Sequence, residues 1–269
     1  MLLCGSDILV KTLIEQGCDT VFGYPGGQIL NVYDSLYTHQ NEINHILTAH
    51  EQGAAHAADG YARTTGKVGV VISTSGPGAT NLVPGIATAY LDSIPMVAIC
   101  GNVPTTQIGS DSFQEIDITG VTLPITKHNY FVSSVEDLAD TIREAFTLAK
   151  SGRPGPVLID VPKDVQIAKC EYEPKSPAQK AKSYPAKDER IEQAAECINN
   201  SKKPYIYFGG GLITAKAQEE MLTLAEKLDA PIGCSLMGIS GIETNHPRFL
   251  GMQGMHGDYA STTAMNNAD

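Results

Sequence analysis

The chain has 269 residues, of which 42% are apolar and 18% charged, and its formal net charge is -11. These values are typical of a globular protein with one large domain or two smaller ones. A nucleic-acid partner would need a basic surface, which this charge argues against. No apolar run reaches the roughly 18 residues that a membrane span needs, and the first residues lack the basic segment of a signal peptide. We therefore expect neither nucleic acid nor membrane as a partner.

The six cysteines are far apart and form no C-x-x-C pair: Cys4, Cys18, Cys100, Cys170, Cys197 and Cys234. Several of them lie in apolar segments. Buried free thiols in a reducing compartment are the state that this pattern favours. It predicts a cytoplasmic protein.

Helix-like and strand-like segments alternate over residues 1–167. A first helix begins at Ser6 or Asp7 and runs to about Gln16, before Gly17. Strands are then predicted at 20–23, 44–49, 68–73, 95–100 and 156–161, helices at 28–37, 51–64, 78–91 and 135–150, and irregular structure at 101–127. Unbroken apolar strands are typical of a parallel sheet that is buried on both faces. The pattern predicts an α/β domain with a mostly parallel open sheet and helices on both faces.

The composition changes to Lys, Pro, Ser, Ala and Glu between residues 168 and 187, which predicts a linker. A second α/β pattern occupies residues 188–269. Its predicted elements are a helix at 188–199, a strand at 204–208, a glycine turn at 209–211, a helix at 215–228 and a strand at 230–234. Only about three units are present, so we expect an incomplete second α/β domain.

The helix predicted after the second strand begins with Glu51 and then carries little that is larger than alanine. One interpretation is a packing helix with a solvated acid in its first turn, where the macrodipole favours a negative charge. The other is a helix that another molecule approaches closely, with Glu51 poorly solvated beside it. The helix alone leaves both interpretations open.

Glycine-rich loops follow several predicted strands, where open α/β sheets bind ligands. They are Tyr24-Pro25-Gly26-Gly27, Thr74-Ser75-Gly76-Pro77-Gly78-Ala79-Thr80-Asn81 and Gly209-Gly210-Gly211. The spacing matches neither a P-loop nor a dinucleotide fingerprint. The chain also lacks the G-x-S-x-G elbow of hydrolases and an H-E-x-x-H zinc motif. Together with Glu51, the loops predict a ligand site at the carboxyl ends of the strands.

These motifs resemble the thiamine-diphosphate enzymes, and specifically the large catalytic subunit of biosynthetic acetolactate synthase. The resemblance rests on residues 24–27, 50–63 and 74–81. It continues in order through residues 101–105, 108–115, 151–156, 160–164, 208–211 and 254–257. It therefore covers essentially the whole chain.

The resemblance implies a role for each motif. Glu51 matches the catalytic glutamate that hydrogen-bonds the aminopyrimidine ring of the cofactor and promotes its imino tautomer. The residues implied to bind thiamine diphosphate are Tyr24, Pro25, Gly26, Gly27, Glu51, Gly76, Pro77, Asn81 and Gln114. Those implied to line the substrate channel are Phe113, Gln114 and Lys163. Those implied to bind a FAD without net redox work are Arg153, Gly209, Gly210, Gly211, Met255, His256 and Gly257.

The implied reaction joins pyruvate to a second 2-keto acid with loss of carbon dioxide, in the biosynthesis of valine and isoleucine. The product is 2-acetolactate or 2-aceto-2-hydroxybutyrate. Family members are about twice as long and hold magnesium and the diphosphate in a third domain, whose G-D-G motif does not occur here. Their cofactor lies between two subunits of a homodimer or tetramer, and a small regulatory subunit is a further expected partner. We therefore predict that this chain is inactive alone and holds no metal itself.

Other interpretations stay open at this point. Within the same enzyme class they are the flavin-free catabolic acetolactate synthase, oxalyl-CoA decarboxylase and benzoylformate decarboxylase. The Phe113-Gln114 loop and Arg153 favour the biosynthetic enzyme. A different class would be a non-catalytic fragment that dimerises or binds a nucleotide, but such a protein has no need of Glu51. One departure from the family is Gln28, where many members have alanine.

Overall fold

The computed structural model describes residues 1–177 and 185–269, which form two compact units, Met1–Lys182 and Ser183–Asp269. The strands of the first unit are β1 (Leu2–Cys4), β2 (Thr20–Gly23), β3 (Asn44–Leu47), β4 (Gly69–Ser73), β5 (Met96–Asn102), β6 (His128–Phe131), β7 (Pro156–Pro162) and β8 (Lys169–Glu171). Its helices are α1 (Gly5–Glu15), α2 (Leu30–Thr38), α3 (Glu51–Thr65), α4 (Pro77–Thr80), α5 (Val83–Asp92), α6 (Ile118–Thr122), α7 (Val135–Lys150) and α8 (Lys163–Ile167).

Six of these strands form one parallel sheet in the order β3-β2-β4-β5-β7-β6. Neighbouring residues of a strand enter opposite cores, as Val71 and Ile72 of β4 do. One core packs against α1, α2 and α7, and the other against α3 and α5. The predicted α/β fold with a mostly parallel sheet is confirmed. The chain order reverses between β2 and β4, and at such a switch point the loops diverge and leave a crevice.

The helix predicted at residues 78–91 is divided into α4 and α5. Pro84, in the first turn of α5, has no N–H to donate to the carbonyl of Thr80, and its ring would clash with that carbonyl in a continuous helix. The helix therefore breaks at Asn81 and Leu82. This break belongs to the candidate site, because it frees the side chain of Asn81 from a regular helical position.

Short elements lie where the sequence predicts none. The linker prediction for residues 168–187 was wrong at β8, which pairs antiparallel with β1 through Leu3 and Cys170. Two segments so far apart in sequence give no local signal of pairing. The part of that linker at 178–184 lies outside the described residues. The stretch 101–127, expected to be irregular, contains the end of β5, the short helix α6 and two 3-10 turns at 105–107 and 123–125.

The second unit has a parallel sheet of three strands in the order β11-β10-β9. Its strands and helices are β9 (Ile206–Phe208), β10 (Ile232–Cys234), β11 (Phe249–Met252), α9 (Asp188–Asn200), α10 (Gly210–Ala215), α11 (Gln218–Leu228) and α12 (Tyr259–Asn266). The predicted turn at 209–211 was wrong, because Gly210 and Gly211 open α10 directly after β9. The sequence pattern did not predict β11 and α12.

Within the ranges 1–177 and 185–269, no helix combines the length and the apolar character that crossing a membrane demands.

Candidate functional site

Thr74 connects the two loops that border the switch point between β2 and β4. Its Oγ1 accepts a hydrogen bond of 3.1 Å from the backbone N–H of Gln28. A Cβ on Gly26 would collide with the Thr74 side chain, and one on Gly78 would lie 2.7 Å from its Cγ2. Both loops therefore approach Thr74 as closely as glycine allows. The structure thus brings residues 24–27 and 74–78 together, as predicted from their places after parallel strands.

Glu51 is the first residue of α3 and is only 8% exposed. Its Oε2 accepts a hydrogen bond of 3.0 Å from Nδ2 of Asn81, at the break between α4 and α5. Among the described residues, Oε1 has no hydrogen-bond partner, and it lies 3.3 Å from the position of a Cβ on Gly78. The N-terminus of α3 favours the carboxylate. One carboxylate oxygen is thus fixed and the other faces the glycine loop.

The alanines of α3 are packing residues. Ala54, Ala55, Ala58 and Ala62 are at most 3% exposed and belong to the core between α3, α5 and the sheet. A Cβ on Gly85 of α5 would collide with Ala55, so the two helices are in close contact. The alanines therefore do not form an open wall for another molecule, which corrects the second interpretation. The solvated acid of the first interpretation was also wrong, because Glu51 is buried.

The loop that carries Gln114 lies against Gly76. Gly76 has a φ of +55°, and a Cβ there would be 2.7 Å from the carbonyl oxygen of Gln114. Gln114 itself has a φ of +61°. The side chain of Glu115 closes this loop by accepting hydrogen bonds from the backbone N–H groups of Gly109 and Ser112. Phe113 is 82% exposed and contributes an apolar surface beside the glycine loop.

Lys163 begins α8, directly after β7, and its Nζ donates a hydrogen bond of 3.2 Å to the carbonyl of Gly27. The structure therefore assembles residues from the loops after β2, β3, β4, β5 and β7 at one edge of the sheet. Members of this assembly are Gly26, Gly27, Glu51, Gly76, Pro77, Asn81, Gln114 and Lys163. Tyr24, in the same loop as Gly26, is 42% exposed. Their roles toward a ligand stay predictions.

Arg153 lies at the opposite edge of this sheet, because it precedes β7. Its Nε donates a hydrogen bond of 2.6 Å to Ser93 Oγ, and its Nη2 donates one of 3.0 Å to the carbonyl of Leu91. A cation at the C-terminal end of α5 is favoured by the helix dipole. The structure therefore does not bring Arg153 to the glycine loops.

The remaining predicted residues belong to the second unit. Residues 209–211 follow β9 and residues 255–257 follow β11, so both groups lie at the carboxyl edge, on either side of β10. A Cβ on Gly209 would be 3.1 Å from Ser235 Oγ, and one on Gly257 would collide with the carbonyl of Met252. Met255 is 91% exposed. The proposed part of these residues in binding FAD stays a prediction.

The sequence analysis missed three polar residues of the first unit. Thr74 had been noticed only as part of its motif. Gln166 is completely buried and bonds to the loop after β2. Asp160 of β7 is 2% exposed, accepts a hydrogen bond of 2.7 Å from Asn102, and has its pKa raised to about 7 by burial. A single acid inside the apolar strand 156–161 was a signal for Asp160, whereas nothing marked Gln166.

Within the parts of the chain that the structure describes, no three or more His, Cys, Asp or Glu side chains group as metal ligands do.

Comparison with known proteins agrees with the resemblance. A sequence model described as the N-terminal TPP binding domain of thiamine pyrophosphate enzymes matches residues 4–121, and one described as their central domain matches residues 191–269. Together the two models match more than half of the chain.

Relatives match along nearly the whole chain. The acetolactate synthase isozyme 3 large subunit of Escherichia coli K12 is 44% identical over 100% of this chain and 47% of its own length. The acetolactate synthase of Arthrospira platensis is 51% identical over 97% of this chain and 47% of its own length. The probable acetolactate synthase large subunit of Methanocaldococcus jannaschii is 48% identical over 98% and 46%. The chain spans about half the length of these relatives. It belongs to the thiamine pyrophosphate enzymes, and proteins named acetolactate synthase large subunit are its homologues.

Proposed function

We propose that the protein containing this chain is an acetolactate synthase large subunit, which joins two 2-keto acids with loss of carbon dioxide. This chain supplies the side of the site that receives the pyrimidine ring of thiamine diphosphate, the cofactor also called thiamine pyrophosphate. The observation that carries the proposal is the carboxyl of Glu51, buried and held by Asn81, with its second oxygen toward the glycine loop.

The residues present fit a flat ring with several polar atoms. Gly26, Gly76 and Gly78 leave space that their Cβ atoms would fill, so the backbone of both loops is accessible at close range. Ser75 Oγ is buried without a hydrogen-bond partner among the described residues. Because a buried hydroxyl seeks a partner, this atom and Glu51 Oε1 suit a ligand with ring nitrogens and an amino group.

When bound, thiamine diphosphate supplies a nucleophilic carbon and an electron sink for the decarboxylation. The chain's own contribution centres on Glu51. Its Oε1 exchanges a proton with a ring nitrogen, while Asn81 holds Oε2 and so fixes the direction of the carboxyl. The apolar surroundings exclude competing water, which strengthens this hydrogen bond. General acid–base contributions of this kind typically change rates by about 10²- to 10⁴-fold.

We assign substrate contacts to the exposed rim of the site. The ammonium group of Lys163, beside Gly27, attracts the carboxylate of a 2-keto acid, and Phe113 offers an apolar surface to its methyl group. The second unit's carboxyl edge, with residues 209–211 and 255–257, is our proposed flavin surface. Magnesium, which the family implies, is proposed to be held by residues other than the described ones.

We also propose a cytoplasmic homodimer or tetramer with a small regulatory subunit. The location is supported by six free cysteines, which suit a reducing compartment. Burial raises the pKa of Cys18 and of Cys100 to about 12, so neither thiol is poised to form a disulfide.

The activity is tested with the whole protein, pyruvate, magnesium and thiamine diphosphate, by measuring acetolactate and carbon dioxide. We expect acetolactate formation that requires thiamine diphosphate, and acetohydroxybutyrate when 2-ketobutyrate is added. Release of carbon dioxide with acetaldehyde alone would instead identify a simple decarboxylase. A flavin absorbance spectrum of the purified protein separates the biosynthetic enzyme, which we expect to contain FAD, from the flavin-free catabolic form.

A further inference from the structure

Gln166 links the end of β7 to the loop after β2 through a side chain that is completely buried. Its Nε2 donates one hydrogen bond of 2.8 Å to the carbonyl of Gln28 and another of 2.9 Å to the carbonyl of Val161. The orientation of the amide is fixed, because the reverse orientation would set Oε1 against two carbonyl oxygens. Both N–H groups of the amide therefore bind backbone.

The peptide of Gln28 is held from three sides. Its N–H donates to Oγ1 of Thr74 in the loop after β4. Its carbonyl accepts from Gln166 on α8, and it also lies so close to Gly101 of β5 that a Cβ there would collide with it. Thr74 and Gly101 constrain the position of this peptide, and Gln166 satisfies its buried carbonyl.

This peptide ends the glycine loop that borders Glu51. Gly26 contacts Thr74, and the carbonyl of Gly27 accepts from Lys163. Without the amide of Gln166, the carbonyls of Gln28 and Val161 would be buried without donors. Since an unsatisfied buried carbonyl is costly, the loop would move toward water and away from its place beside Thr74.

We propose that Gln166 is a positioning residue of the site: by binding the carbonyl of Gln28, it sets the glycine loop at 24–28 at the distance from Glu51 that the pyrimidine ring requires. It acts through the loop and does not touch the ligand. The part that concerns the ring depends on the proposed function, whereas the part that concerns the loop does not.

The first test measures amide hydrogen exchange in the full chain without ligand. The variants are Gln166→Met, which keeps the length without donors, and Gln166→Glu, which keeps the shape. The control is Thr12→Val, which removes a buried hydroxyl that donates to the carbonyl of Ile8 in the same unit. We expect about 10-fold faster exchange of the amides of Gln28 and Ile29 in both Gln166 variants at pH 7, and no change there in the control.

A pH comparison separates a specific hydrogen bond from general loosening. The carboxyl that Gln166→Glu introduces can donate to the carbonyl of Gln28 once it is protonated. Acid should therefore restore the protection of residues 24–30 in Gln166→Glu, relative to the unmutated protein at the same pH, and should not do so in Gln166→Met. Unchanged exchange in the folded variants would overturn the proposal. Global unfolding of both variants would overturn it as well, because the role would then be general.

The second test measures the binding of thiamine diphosphate with magnesium to the whole protein by calorimetry. We expect about 10-fold weaker binding by Gln166→Met and unchanged binding by Thr12→Val. If the unmutated protein failed to bind thiamine diphosphate, the proposed function would fail while the exchange result would stand. If it bound and Gln166→Met bound equally tightly, the inference about Gln166 would fail alone.

Discussion

Among single residues, Asp160 is a buried carboxyl that faces few polar groups. Asn102 donates to its Oδ2, whereas its Oδ1 has no hydrogen-bond partner among the described residues. The groups that face it are Asn102, the thiol of Cys100 and the carboxylate of Asp117. Burial, and to a smaller extent the charge of Asp117, raise the pKa of Asp160 to about 7 from its ordinary value of 3.8. The neutral acid is therefore the form that the fold stabilises.

This raised pKa predicts that the protein loses stability as the pH rises from about 4 to 7. In that range the unfolded chain has released the proton of Asp160 while the folded chain keeps it, so each pH unit costs up to about 1.4 kcal/mol. Urea unfolding at several pH values measures this slope. Asp160→Asn should remove it and raise stability at pH 7, whereas Asp34→Asn, at an exposed site, should keep it. An Asp160→Asn variant with the original slope would refute the assignment.

Among the helices, α1 and α7 are joined by an ion pair with little exposure. Nε and Nη2 of Arg143 donate hydrogen bonds of 2.8 Å and 2.7 Å to the two carboxylate oxygens of Glu15. The hydroxyl of Tyr172, beyond β8, donates to the same carboxylate. Burial favours the neutral acid, but these hydrogen bonds outweigh it and lower the pKa of Glu15 to about 2. The segment after β8 is thereby attached to both helices.

Replacing Glu15 by Gln should destabilise the protein by about 3 kcal/mol at pH 7, because Arg143 is left without its charged partner. The stabilisation by Glu15 is complete above its ordinary pKa of 4.5 and is lost as the pH falls toward 2. The difference between variant and parent should therefore shrink in acid. Chemical unfolding at pH 7 and at about pH 3 measures both effects, with the exposed Glu42→Gln as control. An equal difference at the two pH values would contradict the role of the ion pair.

Local patterns predicted the elements of the large sheet better than the short elements around it. Apolar runs marked β4, β5 and β7, because strands buried on both faces have no polar alternation. The edge strand β6 has four partly exposed residues, so no pattern distinguishes it from a loop. The pairing of β1 with β8 joins segments about one domain length apart, and only the folded chain brings them together.

For the molecule as a whole, motif resemblance predicted which residues would gather but not what holds them. Glu51, Gly26, Gly76 and Gln114 lie at one edge of the sheet, as expected from their positions after parallel strands. The contacts that fix them come from Thr74 and Gln166, each bonded to Gln28 across a long stretch of sequence. Such distant pairs have no sequence signal in a single chain. Arg153 shows the converse, because its motif lies at the opposite edge of the sheet.

The arrangement assigns one task to the carboxyl of Glu51: proton exchange with a ring nitrogen of thiamine diphosphate. Glu51→Gln keeps the shape and the hydrogen bond to Asn81 possible, but it cannot exchange that proton. The decisive measurement is the rate of carbon dioxide release from pyruvate by the whole protein carrying Glu51→Gln, with Glu42→Gln as control. We predict a fall of about 100-fold or more for Glu51→Gln and an unchanged rate for the control. A Glu51→Gln protein that released carbon dioxide at nearly the original rate would show that the site does not work through Glu51.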